Sequence, residues 1–106
     1  MDLNGAGRDL SIEELHEVVA PIAVEHGVLR IYLFGSRARG DNDKNSDYDF
    51  CIDVPKEYDL FDLGGILYDL QEALCIKVDL VCEDEIYTKP SLMEEILRDR
   101  KILFEA

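Results

Sequence analysis

Two short stretches of this chain carry residues that could do chemistry together. Gly35-Ser36 closes an apolar run, and Asp47-Tyr48-Asp49 follows after the intervening residues 37–46. Asp is disfavoured in strands because its short carboxylate competes for backbone hydrogen bonds. Two Asp at i and i+2 within Asp47-Tyr48-Asp49-Phe50-Cys51-Ile52-Asp53-Val54 therefore call for a reason. Strand periodicity puts both on one face with Cα atoms roughly 6.5 Å apart. Like charges that close repel and raise each other's pKa unless a cation lies between them, and hard oxygen ligands suit Mg²⁺ or Mn²⁺. The pair reads as a metal site, although alone it would also suit a solvated face that protects a sheet edge.

The Gly-Ser half supplies something for a metal to act on. Gly35 allows a tight turn and close backbone approach to a ligand. Ser36 opens what is predicted to be a short helical turn through Arg39, and free N–H groups at such a start suit phosphate. Arg37 and Arg39 add positive charge beside it. Gly35 to Gly40 also fits the opening of the P-loop pattern, but Asp41 stands where the lysine is required and Asn42 where the hydroxyl is required, so that reading fails.

The elements that must position these residues follow from periodicity. Ser11-Ile12-Glu13-Glu14 is a capping box opening a helix with Ile12, Leu15, Val18, Val19 and Ile22 inward, which Pro21 is expected to kink or shorten. A turn at Glu25-His26-Gly27 leads into a strand, Val28 to Phe34, and a polar loop, Asp41 to Ser46, separates the two halves of the site. A second helix is predicted from Asp59 to about Leu74 with Leu60, Leu63, Leu67, Leu70 and Leu74 as its core stripe, weakened by Gly64-Gly65. Cys75 to Cys82 alternates as a strand. Ser91 to Glu94 reads as a second capping box after Pro90, and Ile102-Leu103-Phe104 as a last strand or a docking tail.

Length bounds the organisation to one domain over residues 1–106. No apolar run approaches the roughly 20 residues of a membrane span, and Met1 to Gly5 has no basic-then-apolar signal pattern, so a cytoplasmic protein is expected. Cys51, Cys75 and Cys82 read as reduced core residues, and His16 and His26 as solvated or capping. The formal charge of −13 argues against nucleic acid or anionic membrane as partners and favours a basic protein.

Phe34-Gly35-Ser36-Arg37-Ala38-Arg39-Gly40-Asp41 together with Ser46-Asp47-Tyr48-Asp49-Phe50 resembles the minimal nucleotidyltransferase branch of the DNA polymerase β-type superfamily. The resemblance implies an α/β (α+β) fold, a small mixed sheet flanked by helices. It implies a third carboxylate on a neighbouring strand, for which Asp79 is well placed: Lys77, Asp79 and Val81 share the face opposite Ile76, Val78, Leu80 and Cys82. Asp53 is the rival, but it lies roughly 13 Å along the strand from Asp49. The implied chemistry is metal-dependent nucleotidyl transfer with two Mg²⁺ ions, Mn²⁺ being possible. Asp47, Asp49 and Asp79 would be ligands and catalytic groups, and Gly35, Ser36 and Arg37 would bind ATP. Such proteins often act as antitoxins that transfer AMP to a tyrosine of a HEPN-type ribonuclease toxin. Two alternatives stay open: a non-catalytic acidic module that neutralises a basic partner, and a small-molecule nucleotidyltransferase working as a homodimer.

Overall fold

The computed structural model describes residues 9–106, and the N-terminal stretch read for a targeting signal lies outside them. Helix α1 (Ile12–Glu25) opens on the expected capping box: the Ser11 hydroxyl accepts from the Glu14 N–H, and the Glu14 carboxylate accepts from the Ser11 N–H. Pro21 neither breaks nor shortens the helix, which runs on to Glu25. Both Pro21 and Glu17 are exposed, so the carbonyl that loses its i+4 donor faces water.

Four strands form one sheet in the order β3-β2-β1-β4. Strands β1 (Arg30–Phe34) and β2 (Tyr48–Asp53) are antiparallel, β3 (Val78–Cys82) runs parallel to β2, and β4 (Lys101–Glu105) is antiparallel to β1. The last apolar run is therefore a strand. The parallel β2–β3 step is made by helix α3 (Leu60–Leu74), which starts at Asp59 with its own capping box to Asp62. One face of the sheet carries Ile31, Leu33, Tyr48, Phe50, Ile52 and Val78 into the main core with α1 and α3.

The leucine stripe of α3 holds except at its first residue, with Leu63 and Leu67 partly buried against the main core. Leu70 and Leu74 are buried, but Leu60 is 82% exposed, and Ile66 takes the centre of the buried arc. Cys75 is not the start of a strand: it caps α3 in the left-handed conformation (φ 54°), and β3 begins at Val78. The capping box expected at Ser91 to Glu94 does not form either. Helix α5 (Pro90–Asp99) has Lys89 as N-cap and Pro90 in its first turn, where a missing N–H costs nothing and the fixed φ is already helical.

The opposite face is not simply polar. Phe34 and Cys51 are buried there against Ile86 of the short helix α4 (Glu83–Ile86) and Ile96 of α5. This small second core lays α5 beside one end of the carboxylate-bearing face. Among the described residues, no helix is long and apolar enough to cross a membrane.

Candidate active site

The site is built where β1 ends. Gly35 takes φ 74° and ψ −156°, a conformation that L side chains rarely adopt, and turns the chain into the helical turn α2 (Ser36–Arg39). Gly40 closes that turn in the left-handed region. Phe34 is paired with Asp49 across the β1–β2 ladder, so the turn and the paired carboxylates meet directly. A Cβ on residue 35 would lie 2.3 Å from Asp49 Oδ2, so only glycine leaves room for that carboxylate.

The structure brings Asp79, the candidate for a third carboxylate, beside Asp49. Asp79 is the direct partner of Asp49 in the parallel β2–β3 ladder, which brings the two carboxyls together on one face, where Asp79 favours a proton on Asp49. Asp47 lies just before β2 on the same face. Burial pushes the Asp49 carboxyl up from 3.8 to about 6, helped by Asp79 and by the charges of Asp47 and Glu95. Asp53 is held elsewhere, 2.8 Å from the Arg30 guanidinium.

Lys77 completes the cluster, with its Nζ 3.8 Å from Asp47 Oδ2 and 3.9 Å from Asp79 Oδ1. It shares the Asp79 face by strand period. Its place at the end of a Lys-x-Asp alternation was the available signal, but nothing in the sequence showed that it would reach across to Asp47.

The arginines do something different from what their positions beside Ser36 suggested. Arg37 is turned inward: Nε donates to the Ser46 carbonyl at 2.9 Å, one terminal nitrogen pairs with Asp9 at 2.7 Å and the other donates to the Lys44 carbonyl at 3.4 Å. Its guanidinium lies 4.1 Å from the centre of the Tyr48 ring. Arg37 thus fastens the 41–46 loop and is not brought to the carboxylates. Arg39 is held by Asp41 at 3.0 Å and by Asp99 of α5 at 2.8 Å. Arg98 and Arg39 hold the Asp99 carboxyl down to about 2.

The donor set suits a hard divalent cation. Three carboxylates supply oxygen ligands, the charges of Asp79 and Asp47 add to burial in raising Asp49, and an ammonium already stands between two of them. Among the described residues no three such side chains surround a ready-made ion position, so the carboxylates would have to draw together around an ion. Cys51 is no rival nucleophile, because burial, with Glu83 nearby, pushes its thiol up to about 12.

Residues 15–103 match the nucleotidyltransferase domain family. This chain belongs to that family. A curated relative of this nucleotidyltransferase is the "Putative protein adenylyltransferase MJ0435" of Methanocaldococcus jannaschii, 33% identical over 90 residues that span 85% of this chain and 95% of the relative. A solved structure described as a "putative minimal nucleotidyltransferase" is 31% identical and superposes with a TM-score of 0.72, covering 90% of this chain and 98% of that one. The fold also matches a chain in the complex of a tri-AMPylated Shewanella oneidensis HEPN toxin with its MNT antitoxin, with a TM-score of 0.68 at 19% identity and coverage of 91% and 74%. The nucleotidyltransferase thus has the mixed-sheet fold of the minimal branch, with its carboxylates on the sheet face beside the Gly-Ser turn.

Proposed function

We propose that this nucleotidyltransferase moves AMP from ATP to a tyrosine of a HEPN-type ribonuclease toxin and so acts as its antitoxin. The observation that carries the reading is the convergence of the Gly35 turn, Asp49 and Asp79 across three adjacent strands. A protein acceptor is supported by the adenylyltransferase relative and by the toxin complexes that share the fold. The net charge of −13 favours a basic partner of that kind.

Asp47, Asp49 and Asp79 would hold Mg²⁺, with two ions expected and Mn²⁺ an acceptable substitute. Bound there, the metal would offset the charge of the triphosphate and acidify the acceptor hydroxyl. The chain's own residues do the rest. The bare Cα of Gly35 lets a phosphate approach beside Asp49, and the Ser36 hydroxyl and the N–H groups at the start of α2 donate to the β- and γ-phosphates. Asp79, the most accessible partner of Asp49, takes the proton of the tyrosine hydroxyl. The tyrosine oxygen bonds to the α-phosphorus as the bond to the bridging oxygen breaks, and pyrophosphate leaves in line. Arg37 acts at one remove by pinning the loop that enters Asp47.

The test is the Asp47→Asn/Asp49→Asn double variant, incubated with ATP, Mg²⁺ and the co-expressed HEPN-type partner. It is expected to bind the partner as the wild type does and to leave its tyrosines unmodified by mass spectrometry. Full modification by that variant would refute the assignment. Neutralisation of the ribonuclease without modification by the wild type would establish the non-catalytic binding module instead.

A further inference from the structure

We infer that Lys77 is a positioning residue, a tethered cation that competes with a divalent ion for Asp47 and Asp79. The inference rests on the site reading above. Lys77 precedes Asp79 by two residues, so strand period puts both on one face. Its own carbonyl accepts from the Tyr48 N–H at 3.1 Å, which zips its backbone to β2 beside Asp47. That anchoring places Nζ 3.8 Å from Asp47 and 3.9 Å from Asp79, bridging a carboxylate on each of two neighbouring strand ends.

Among the described residues, Lys77 is the one cation within ion-pair distance of these carboxylates. Arg37 is committed to Asp9, and Arg39 to Asp41, Glu95 and Asp99. A lysine suits a releasable counter-ion. Its ammonium is a strongly hydrated point charge on a flexible stem, whereas a guanidinium would grip a carboxylate with two fixed bonds. The side chain is 63% exposed, so nothing in the fold locks it down. A divalent ion that binds Asp47 and Asp79 must displace the ammonium, which makes the ion alone a poor competitor. When the ion arrives with a triphosphate, the displaced ammonium gains new anionic partners at the same place. Lys77 therefore couples metal binding to nucleotide binding.

The experiment titrates Mn²⁺ by electron paramagnetic resonance into the full chain, with and without ATP. Lys77→Met is expected to tighten Mn²⁺ alone by at least about fivefold, since a unit charge about 4 Å from two carboxylates is removed, and to weaken Mn²⁺ in the presence of ATP by a similar factor. Lys77→Arg keeps the charge and is expected to tighten Mn²⁺ alone by less than about twofold. Lys56→Met removes the same formal charge from the loop after β2 and is expected to shift neither titration. Lys77→Met that leaves both titrations unchanged, or shifts them no more than Lys56→Met does, overturns the role of Lys77 while the site reading stands. A wild-type protein that binds no Mn²⁺ with or without ATP overturns the site reading and this inference with it.

Discussion

Gly35 and Asp49 are fitted to each other: the Asp49 carboxylate occupies the volume that any side chain on residue 35 would need, with Oδ2 2.3 Å from where a Cβ would sit. The glycine is thus required twice, by its φ of 74° and by its neighbour. Gly40 has a similar φ of 85° with nothing within 4 Å, which makes it the natural control. Gly40→Ala, in the left-handed region, should lose about 1–2 kcal/mol from backbone strain, and Gly35→Ala, at φ 74° and ψ −156°, about 1–3 kcal/mol. Gly35→Ala should lose more in urea unfolding because Asp49 has to move, and its transfer rate should fall by about a hundredfold. Equal losses at the two positions would show that the fit is not tight.

Asp49 should make the metal-free protein sensitive to pH. Its carboxyl is raised from 3.8 to about 6 in the folded protein, so the folded state binds more protons than the unfolded state between those values. Stability should therefore fall as pH rises from about 4 to about 6 and stay low above that. Asp49→Asn removes this term. In chelator, it should be more stable than wild type at pH 7 by roughly 1 kcal/mol after allowing for solvent screening, with the gap closing toward pH 4. Added Mg²⁺ should stabilise the wild type and not the variant. Thermal melts across that range decide the matter, and a gap that widens toward acid would contradict it.

Arg37 and Arg39 are neighbours in sequence with different duties, and substitution should separate them. Arg37 is buried, with its guanidinium spread over Asp9, two loop carbonyls and the Tyr48 ring. Arg37→Ala should cost about 2–4 kcal/mol in chemical denaturation, because the loop carbonyls lose a charged donor and the Tyr48 ring its cover. Arg37→Lys should recover little of this, since an ammonium cannot match the planar fork. Arg39→Ala should cost clearly less than Arg37→Ala, because Arg39 and Asp41 lie at the surface and the shielded Asp99 keeps its pairing with Arg98.

Cys75 sits at the left-handed cap of α3 with φ 54°, where glycine is the usual residue. Cys75→Gly should therefore stabilise the fold by about 0.5–1 kcal/mol in urea titration. A loss of stability would mean that the thiol's contact with the Glu72 carbonyl outweighs the strain.

The residues of the candidate site were legible because their chemistry is local. Glycine before serine marks a turn, Asp at i and i+2 marks one face of a strand, and the alternation around Asp79 fixes its side. The capping box at Ser11 was equally clear. What escaped the sequence was long-range. Arg37 turns inward because Asp9 and the carbonyls of Lys44 and Ser46 await it, and none of those partners is implied by its own neighbours. Leu60 fell outside the core because evenly spaced leucines do not fix the rotation of a helix, and Ile66 packs where the arc is centred. The small core of Phe34, Cys51, Ile86 and Ile96 was hidden because each of its members belongs to a different element.

The most direct measurement is a transfer assay on the wild type and its HEPN-type partner with ATP labelled either on the α- or on the γ-phosphate. Nucleotidyl transfer predicts that α-label becomes fixed to the partner, that γ-label leaves as pyrophosphate, and that Asp79→Asn abolishes the fixed label. Label fixed from the γ-position, or α-label that persists in Asp79→Asn, would contradict the assignment of this carboxylate cluster.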